Sequence, residues 1–195
     1  MNDNATLRLA SAEELGIFYE WMKEQFHEGE LKPLSLLYRL REAGLYCAYG
    51  LWDGSELIAY ALLANTDGGH GYLLDYYAVL PNHQDAGWGS RFLQMLRHSL
   101  EGKVLLLEVE DPACMCDPAE REICERRIRF YERNDCRHTP VKLNLFGFDY
   151  VIMTLSLAEG AAQVPVRPSL EEIYHRFFPE EAYARYVIFR EAPAN

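Results

Sequence analysis

The sequence predicts a mixed α/β fold, and three observations support this prediction. Aromatic and apolar runs at residues 46–52 and 56–64 flank Asp53-Gly54, a pair that is typical of a β-hairpin turn. Later apolar segments of strand length alternate with segments whose apolar residues recur at helical spacing. Apolar residues make up 49% of the chain and charged residues 25%, as in folded globular proteins. Hairpin-connected strands followed by strand–helix units indicate a sheet with helices packed on it.

The chain begins with a short strand and two helices. Residues 6–10 alternate between polar and apolar side chains, which predicts a strand. Ser11 and Glu14 have the spacing of a capping box, so a helix is expected from there to about residue 26. Pro33 starts a second helical stretch. The hairpin described above follows these helices.

The middle of the chain alternates between strands and helices. A glycine-rich loop at 68–71 precedes a buried strand at 72–79, and Pro81 ends this strand because proline cannot donate to a central ladder. A helix with one apolar face follows the next loop. Residues 104–109 form another predicted strand.

The remaining elements continue the same alternation. A loop at 111–117 leads into a helix at about 120–134, and one or two strands follow at 143–157. A linker is expected at 159–168. Ser169–Glu172 repeats the capping-box pattern, which predicts a short helix that ends near Phe178. A last strand is predicted at 186–189.

The charge and the apolar runs limit the class of partner. The formal net charge is -11, which argues against a nucleic acid or an anionic membrane surface as the main partner. An acidic protein attracts cationic small molecules or basic peptides, although many acidic proteins carry such a charge for solubility alone. Apolar runs such as 104–107 are too short to span a bilayer, and the N-terminus lacks the features of a secretory signal. We therefore expect a cytoplasmic protein.

The cysteines favour reduced thiols over disulfides or a metal site. Five cysteines are an odd number: Cys47, Cys114, Cys116, Cys124 and Cys136. Without a secretory signal, disulfides are not expected. The last four, with His138, match none of the usual paired zinc-ligand spacings. We expect no metal, and a zinc-dependent interaction module is the alternative that elemental analysis would test.

The segment from Gln84 to Gly89, Gln-Asp-Ala-Gly-Trp-Gly, has the pattern of an anion site. A strand ends before it and an amphipathic helix begins directly after it. Such a loop lets successive backbone N–H groups point into a small concavity at the helix N-terminus, where the positive end of the helix dipole also lies. A phosphate or diphosphate is the ligand that suits such a loop. A Rossmann site lacks its third glycine here, and a P-loop lacks its Gly-Lys-Ser/Thr. The alternative is a helix start whose glycines only allow close packing.

Two motifs together resemble the GNAT superfamily of N-acetyltransferases. The first is the strand that ends at Val79 followed by Gln84-Asp-Ala-Gly-Trp-Gly89, and the second is Phe130-Tyr131-Glu132-Arg133, about forty residues later with a strand between them. The resemblance covers residues 6–157. It implies a mixed, mostly antiparallel sheet of about six or seven strands with helices on both faces. The length of 195 residues predicts a single domain over 1–195, with two small domains as the alternative, and residues 158–195 form an extension of unknown role.

The resemblance implies a cosubstrate, acetyl-coenzyme A (acetyl-CoA), and the residues that hold it. In the family, backbone groups at the strand end hold the pantetheine arm and loop amides hold the diphosphate. In this sequence these residues are Ala78, Val79, Gln84, Asp85, Ala86, Gly87, Trp88, Gly89 and Ser90. The loop lacks the family's usual basic residue, and Asp85 adds a negative charge there. No resident metal is implied.

The same resemblance places catalytic groups. Tyr131 matches the tyrosine that protonates the departing thiolate, a role suited to a hydroxyl whose ordinary pKa is about 10. An acceptor amine must also lose a proton, to a carboxylate or through water. Asp75 lies on the strand before the loop, and Glu108 shares one face of the next strand with Glu110. Glu108 and Asp75 are the candidate bases, and structural roles for both are the alternative.

The function that these residues predict is direct transfer of an acetyl group to a primary amine of a small molecule or peptide. A homodimer is a possible assembly. The alternative is a catalytically silent protein that binds acyl-CoA and regulates a partner. Four positions on or near the second motif depart from the family pattern. Asp135-Cys136 stands where Gly-Phe is common, and Cys124 and Arg127 stand where asparagine and alanine are frequent.

Overall fold

A computed structural model describes four stretches of the chain: residues 4–66, 71–100, 103–156 and 165–191. The described residues form two compact units. The first is drawn from 1–65 and 74–99, and the second from 66–73 and 100–195. The linker predicted at 159–168 lies mostly outside the described residues, as do Gly68 and Gly69.

The described residues contain eight strands and six helices. The strands are β1 (Thr6–Leu9), β2 (Tyr46–Asp53), β3 (Glu56–Asn65), β4 (Gly71–Val79), β5 (Val104–Glu110), β6 (Arg137–Leu145), β7 (Phe148–Ser156) and β8 (Val187–Glu191). The helices are α1 (Ala12–Gln25), α2 (Leu34–Glu42), α3 (Trp88–Ser99), α4 (Pro118–Arg133), α5 (Val166–Phe177) and α6 (Glu180–Tyr186). Short 3₁₀ turns occupy Glu28–Glu30, Pro81–His83 and Pro112–Cys114.

The strand pairing confirms the predicted fold class, a mixed α/β protein with a mostly antiparallel sheet. In the first unit the strand order is β1-β2-β3-β4, with β1–β2 and β2–β3 antiparallel. In the second unit the strand order is β5-β7-β6-β8, and the pairs β5–β7, β6–β7 and β6–β8 are antiparallel. The described strands number eight, against the six or seven that were expected.

The core of the first unit surrounds β3. Every residue from 57 to 64 is buried, which means that both faces of this strand are covered. Phe18 of α1 stacks on Tyr60 with ring centroids 5.4 Å apart. The predicted hairpin is confirmed, since Asp53 pairs with Glu56 and Gly54 takes a φ of 60°, which glycine adopts without strain.

The first capping box is confirmed and the second is wrong. The Ser11 hydroxyl accepts from the Glu14 amide at 3.1 Å, and the Glu14 carboxylate accepts from the Ser11 amide at 2.8 Å. Ser169 instead lies inside α5, where it is buried and its amide donates to the Pro165 carbonyl. The helix starts earlier because Pro168 falls in its first turn, where proline is tolerated.

Replacing the α1 cap tests how much this local contact stabilises the protein. Ser11→Ala leaves one amide at the start of α1 without its acceptor, so we expect the free energy of unfolding to fall by about 1 kcal/mol in urea titrations. Ser35→Ala is the control, because Ser35 is exposed within α2 and alanine is the better helix former there. Equal effects of the two substitutions would contradict the capping assignment.

The C-terminal segment differs most from the prediction. β6 begins at Arg137 rather than near Leu143, with an irregularity between His138 and Lys142 around Pro140, and this proline and the polar start hide the strand. β8 was expected at 186–189, and it pairs with β6 along the sheet edge. Helix α6 was not expected. Among the described residues, no helix is both long and apolar enough to cross a membrane.

Candidate active site

The loop after β4 presents unengaged backbone donors at the start of α3. Its residues from Gln84 to Gly87 are exposed to solvent. Within the described residues, none of the amides from Asp85 to Ser90 makes a well-formed hydrogen bond to the protein. Asp85 and Gly87 both have positive φ values, of 59° and 77°. Positive φ values at alternate residues turn successive N–H groups toward one concavity. This concavity, together with the positive end of the helix dipole, suits a phosphate group.

Two contacts with a tyrosine of β4 hold the loop and the helix in place. The Tyr77 hydroxyl donates to the carbonyl of Gly89 in the first turn of α3. The Tyr77 ring stacks on Phe92, with centroids 5.2 Å apart and planes 14° from parallel. Trp88, the first residue of the helix, is buried. The loop amides are therefore presented from a rigid frame.

The end of β4 is occupied by contacts within the unit. The Val79 carbonyl accepts from the side-chain amides of Gln25, at 2.9 Å, and Gln84, at 3.1 Å. Tyr60 in turn donates to the Gln25 side chain at 2.7 Å. Two of the predicted cofactor residues, Val79 and Gln84, therefore use these polar groups internally. The amides of the loop are the donors that remain for a ligand.

The charge around the loop is mixed. Asp85 is exposed at its centre, as expected from the sequence. Arg91, one turn into α3, lies over the ring of Trp88 with its guanidinium carbon 5.1 Å from the centroid. His83 contacts Glu56 at 3.0 Å. The backbone must therefore supply much of the attraction for an anion.

Asp75 of β4 is the centre of a buried polar network in the first unit. Its carboxylate accepts from Lys32 Nζ at 2.8 Å on both oxygens, and it also accepts from the Tyr46 hydroxyl. The Asp75 side chain is 9% exposed and that of Lys32 is 17% exposed. Burial raises the pKa of Tyr46 well above its ordinary value, and the Asp75 charge adds to this. These contacts favour a positioning role, and a proton-accepting role for Asp75 stays a prediction.

The same network ties down the segment before α2. The Tyr76 hydroxyl donates to the Glu30 carbonyl at 2.7 Å and accepts from the Lys32 amide at 3.0 Å. Phe26 packs edge-on against the Tyr76 ring. Residues 26–32 are therefore fixed against β4 by both backbone and side-chain contacts.

In the second unit, Tyr131 has the properties of a proton donor. Tyr131 is 8% exposed, and its hydroxyl makes no hydrogen bond within the described residues. Burial raises the pKa of Tyr131 to about 12; the Arg127 charge opposes this rise, and Cys136 adds a smaller increase. The phenol therefore keeps its proton at neutral pH.

The departure at Asp135-Cys136 leaves the end of the Tyr131 helix intact. Asp135 takes the left-handed conformation with a φ of 66°, which a glycine would otherwise adopt. The amide of Cys136 donates to the Tyr131 carbonyl at 3.0 Å, and that of Asp135 donates to the Glu132 carbonyl at 3.1 Å. These two bonds form a Schellman motif, and Cys136, the residue that ends it, is buried.

The two carboxylates on one face of β5 are each held by a different helix. Glu108 and Glu110 are partly exposed and alternate with buried neighbours, as predicted. Glu110 accepts from Arg127 at 3.1 Å and from the Cys124 thiol at 3.5 Å, both on α4. Burial and the Glu110 charge raise the pKa of Cys124 to about 11. Glu108 accepts from the hydroxyl of Tyr174 on α5.

Several of these functional contacts were not predictable from motifs. Gln25 and Val79 lie 54 positions apart, and Glu108 and Tyr174 lie 66 apart. Lys32 carried no local signal either. Cys124 and Arg127, which depart from the family pattern, both contact Glu110. Cys114 and Cys116 are exposed, and the described residues contain no cluster of three or more metal-ligating side chains.

Comparison with known proteins identifies the family of such a site. The sequence model of the Acetyltransferase (GNAT) family matches residues 15–113, which is just over half of the chain. The match includes the loop and Glu108 and ends before Tyr131. No curated protein sequence matches the chain.

Solved structures resemble the fold of most of the chain. A putative GNAT acetyltransferase from Bacteroides thetaiotaomicron has a TM-score of 0.64 at 20% identity, covering 88% of this chain and 95% of its own. The ribosomal-protein-S18-alanine N-acetyltransferase of Escherichia coli has a TM-score of 0.59 at 20% identity, with 82% and 98% covered. Spermidine N-acetyltransferase of Vibrio cholerae in complex with CoA and spermine has a TM-score of 0.56 at 14% identity, with 79% and 96% covered. At these identities the likeness concerns the fold.

Proposed function

Because the chain belongs to the GNAT acetyltransferase family, we propose that it transfers an acetyl group from acetyl-CoA directly to a primary amine. The observation that carries this proposal is the row of amides from Asp85 to Ser90, which make no well-formed hydrogen bond within the described residues and begin in the exposed stretch from Gln84 to Gly87. Had these amides been bonded within the protein, no diphosphate would find a donor there. The family and the geometry thus point to the same ligand.

Each residue of the loop has a defined task in this proposal. The amides of Asp85, Ala86, Gly87, Trp88, Gly89 and Ser90 would hold the diphosphate. Tyr77 and Phe92 keep the loop in place, and Ala78 at the strand end would contact the pantetheine arm. Gln84 acts indirectly, because its side-chain amide donates a hydrogen bond to the Val79 carbonyl rather than to the cofactor. Acetyl-CoA, when bound, supplies the acetyl group as an activated thioester.

The proton steps belong to the second unit. Tyr131 would give its proton to the departing thiolate, which its raised pKa allows because the phenol is still protonated at neutral pH. The amine must lose a proton to attack, and Glu108 is the carboxylate that we assign to this step. The net charge of -11 favours a cationic acceptor.

Two measurements test the proposal. Calorimetry with acetyl-CoA should give one site per chain. Incubation of the full chain with acetyl-CoA and an amine panel should release CoA and give an acetylated amine. The panel would contain spermidine, an aminoglycoside, a free amino acid and a peptide with a free N-terminus. Products should be followed by chromatography and mass spectrometry, because exposed Cys114 and Cys116 would react with thiol reagents. Absence of acetyl-CoA binding would refute the proposal.

A second candidate function is a regulatory protein that binds acyl-CoA without turnover. One observation favours it: both candidate carboxylates, Asp75 and Glu108, already accept hydrogen bonds from neighbouring side chains. Stoichiometric acetyl-CoA binding with no acetylated product from any amine would identify this second function.

The charge of Asp85 gives a prediction about the loop itself. Asp85→Asn removes a negative charge beside the proposed diphosphate, while asparagine tolerates the same left-handed backbone. We expect the Kd of CoA to fall by about twofold to fourfold at low ionic strength, and by less in 0.5 M salt, because the site is exposed.

Asp135→Asn is a matched control for this substitution. Asp135 also has a positive φ and is exposed, but it lies at the end of α4. CoA affinity should therefore stay unchanged in this variant. An unchanged or higher Kd for Asp85→Asn at low salt would contradict the placement of the diphosphate at this loop.

A further inference from the structure

A tyrosine of the C-terminal segment contacts a candidate catalytic carboxylate. The hydroxyl of Tyr174 donates to Oε1 of Glu108, and both residues belong to the second unit. Tyr174 lies on α5, well beyond the residues 15–113 that define the family match, whereas Glu108 lies within them. The segment after the sheet core therefore supplies a contact that the family match does not include.

Tyr174 is held firmly, so its hydroxyl has a defined position. The residue is 2% exposed, and its ring stacks on Phe178 at 5.9 Å and meets Phe177 edge-on at 6.2 Å. It lies on the buried face of α5 together with Leu170 and Ile173. Packing of this kind leaves the phenol little freedom to move away from the carboxylate.

The sheet edge and an aromatic cluster fix the segment that carries Tyr174. β8 pairs with β6 from Val141↔Glu191 to Leu145↔Val187. Phe146, in the turn between β6 and β7, has a φ of 50°, an unusual conformation for a bulky side chain. Its ring stacks on Tyr186 at 4.7 Å and contacts Phe178 edge-on at 5.2 Å. These contacts anchor α5 and α6 against the core of the second unit.

A fixed hydroxyl donor has a direct effect on a glutamate. Glu108 is partly exposed on β5, and a glutamate side chain in such a position samples many rotamers. A hydrogen bond from a buried phenol selects one of them. Around it, Glu110 lies on the same strand face and is held by Arg127 and Cys124 of α4.

We infer that Tyr174 is a positioning residue, which orients the Glu108 carboxylate toward the acceptor amine and so makes the C-terminal segment part of the active site. This inference rests on the proposed function. In the proton step the ammonium N–H bond breaks, the proton passes to the Glu108 carboxylate and the nitrogen keeps the electron pair. Tyr174 keeps its own proton throughout.

The experiment compares Tyr174→Phe, which keeps the ring contacts and removes the donor, with Tyr186→Phe as the control. Tyr186 belongs to the same aromatic cluster, and its hydroxyl makes no hydrogen bond within the described residues. The first readout is the ¹³C resonance of the Glu108 side-chain carboxyl, which needs no acceptor amine. This resonance is assigned through its loss in Glu108→Gln. It should shift in Tyr174→Phe and stay in place in Tyr186→Phe.

The second readout is turnover of acetyl-CoA with the best amine of the panel above. We expect kcat to fall about tenfold in Tyr174→Phe, as loss of a charge-assisted hydrogen bond predicts, with the Kd of acetyl-CoA unchanged. In the Glu108→Gln background, Tyr174→Phe should have no further effect on kcat, because the tyrosine acts through Glu108.

The possible outcomes distinguish a failure of this inference from a failure of the proposed function. An unmoved Glu108 resonance, or an equal loss of kcat with and without Glu108, would overturn the positioning role alone. A chain that binds no acetyl-CoA would overturn the proposed function and the inference with it. A shifted resonance and an effect on kcat confined to the chain that retains Glu108 would support the inference.

Discussion

Tyr131→Phe is expected to lower kcat by about 10²–10³-fold at neutral pH, which is the usual contribution of a general acid. The substitution removes only the hydroxyl, and this hydroxyl makes no hydrogen bond within the described residues. The buried ring, which meets Phe130 edge-on at 5.2 Å, stays in place. We therefore expect an unchanged Kd for acetyl-CoA and a free energy of unfolding within about 0.5 kcal/mol of the wild type.

Tyr183→Phe is the control for this result, because Tyr183 lies on α6 with its ring stacked on His175. Its kcat should equal that of the wild type. A Tyr131→Phe enzyme with full activity would show that water or another group protonates the thiolate, and Tyr131 would then be a packed aromatic residue.

The pH profile offers a second check on Tyr131. A general acid is active while protonated, and burial raises the pKa of Tyr131 to about 12. Its protonated fraction is therefore nearly constant from pH 6 to about pH 10. The wild-type profile should show no alkaline decline assignable to this tyrosine in that range. A decline that disappears in a partly active Tyr131→Phe enzyme would contradict the high pKa.

The elements that the sequence predicted best have strong local signals. Ser11 and Glu14 are three residues apart and satisfy each other, so their contact depends little on the rest of the fold. The hairpin turn at Asp53-Gly54 likewise depends on adjacent residues and little on the rest of the fold. Ser169 shows the limit of this reasoning, because its capping pattern is overruled by a helix that begins at Val166. A sequence pattern that could form a helix cap does not always form one in the folded protein.

The candidate site was only partly predictable for a related reason. The loop amides depend on a short glycine pattern, and their exposure and lack of partners agree with that pattern. The engagement of the Val79 carbonyl depends on Gln25, which reaches it from the end of α1. Tyr174 reaches Glu108 from the other end of the second unit's sequence. Contacts between such distant positions form only after folding, so no spacing rule reveals them.

Asp135 is an instructive intermediate case. Its departure from the glycine that is common at this position suggested a weakened motif. Aspartate is one of the residues that tolerate a left-handed backbone, and the φ of 66° shows that it takes this conformation here. The two hydrogen bonds that close the helix after Tyr131 are formed in spite of the substitution. Backbone geometry is therefore preserved where residue identity is not.

Lys32→Met is expected to produce the largest loss of stability among the single substitutions considered, about 2–4 kcal/mol in urea titrations. It removes the cation from an ion pair that is largely buried, with Asp75 9% exposed and Lys32 17% exposed. The remaining carboxylate would keep its contact with Tyr46 but lose its counter-charge. Methionine matches much of the lysine stem, so lost packing contributes little.

Lys23→Met is the matched control, because Lys23 makes an ion pair with Glu20 that is exposed on both sides, at 49% and 68%. Its effect should stay below about 0.5 kcal/mol. Lys32→Met/Asp75→Asn should recover part of the loss, since no unpaired charge then stays buried. If the two lysine substitutions cost the same, the Asp75 network would not stabilise the first unit. Asp75 would then have to be reconsidered as a base, because a carboxylate that is not committed to holding residues 26–32 is available to take a proton.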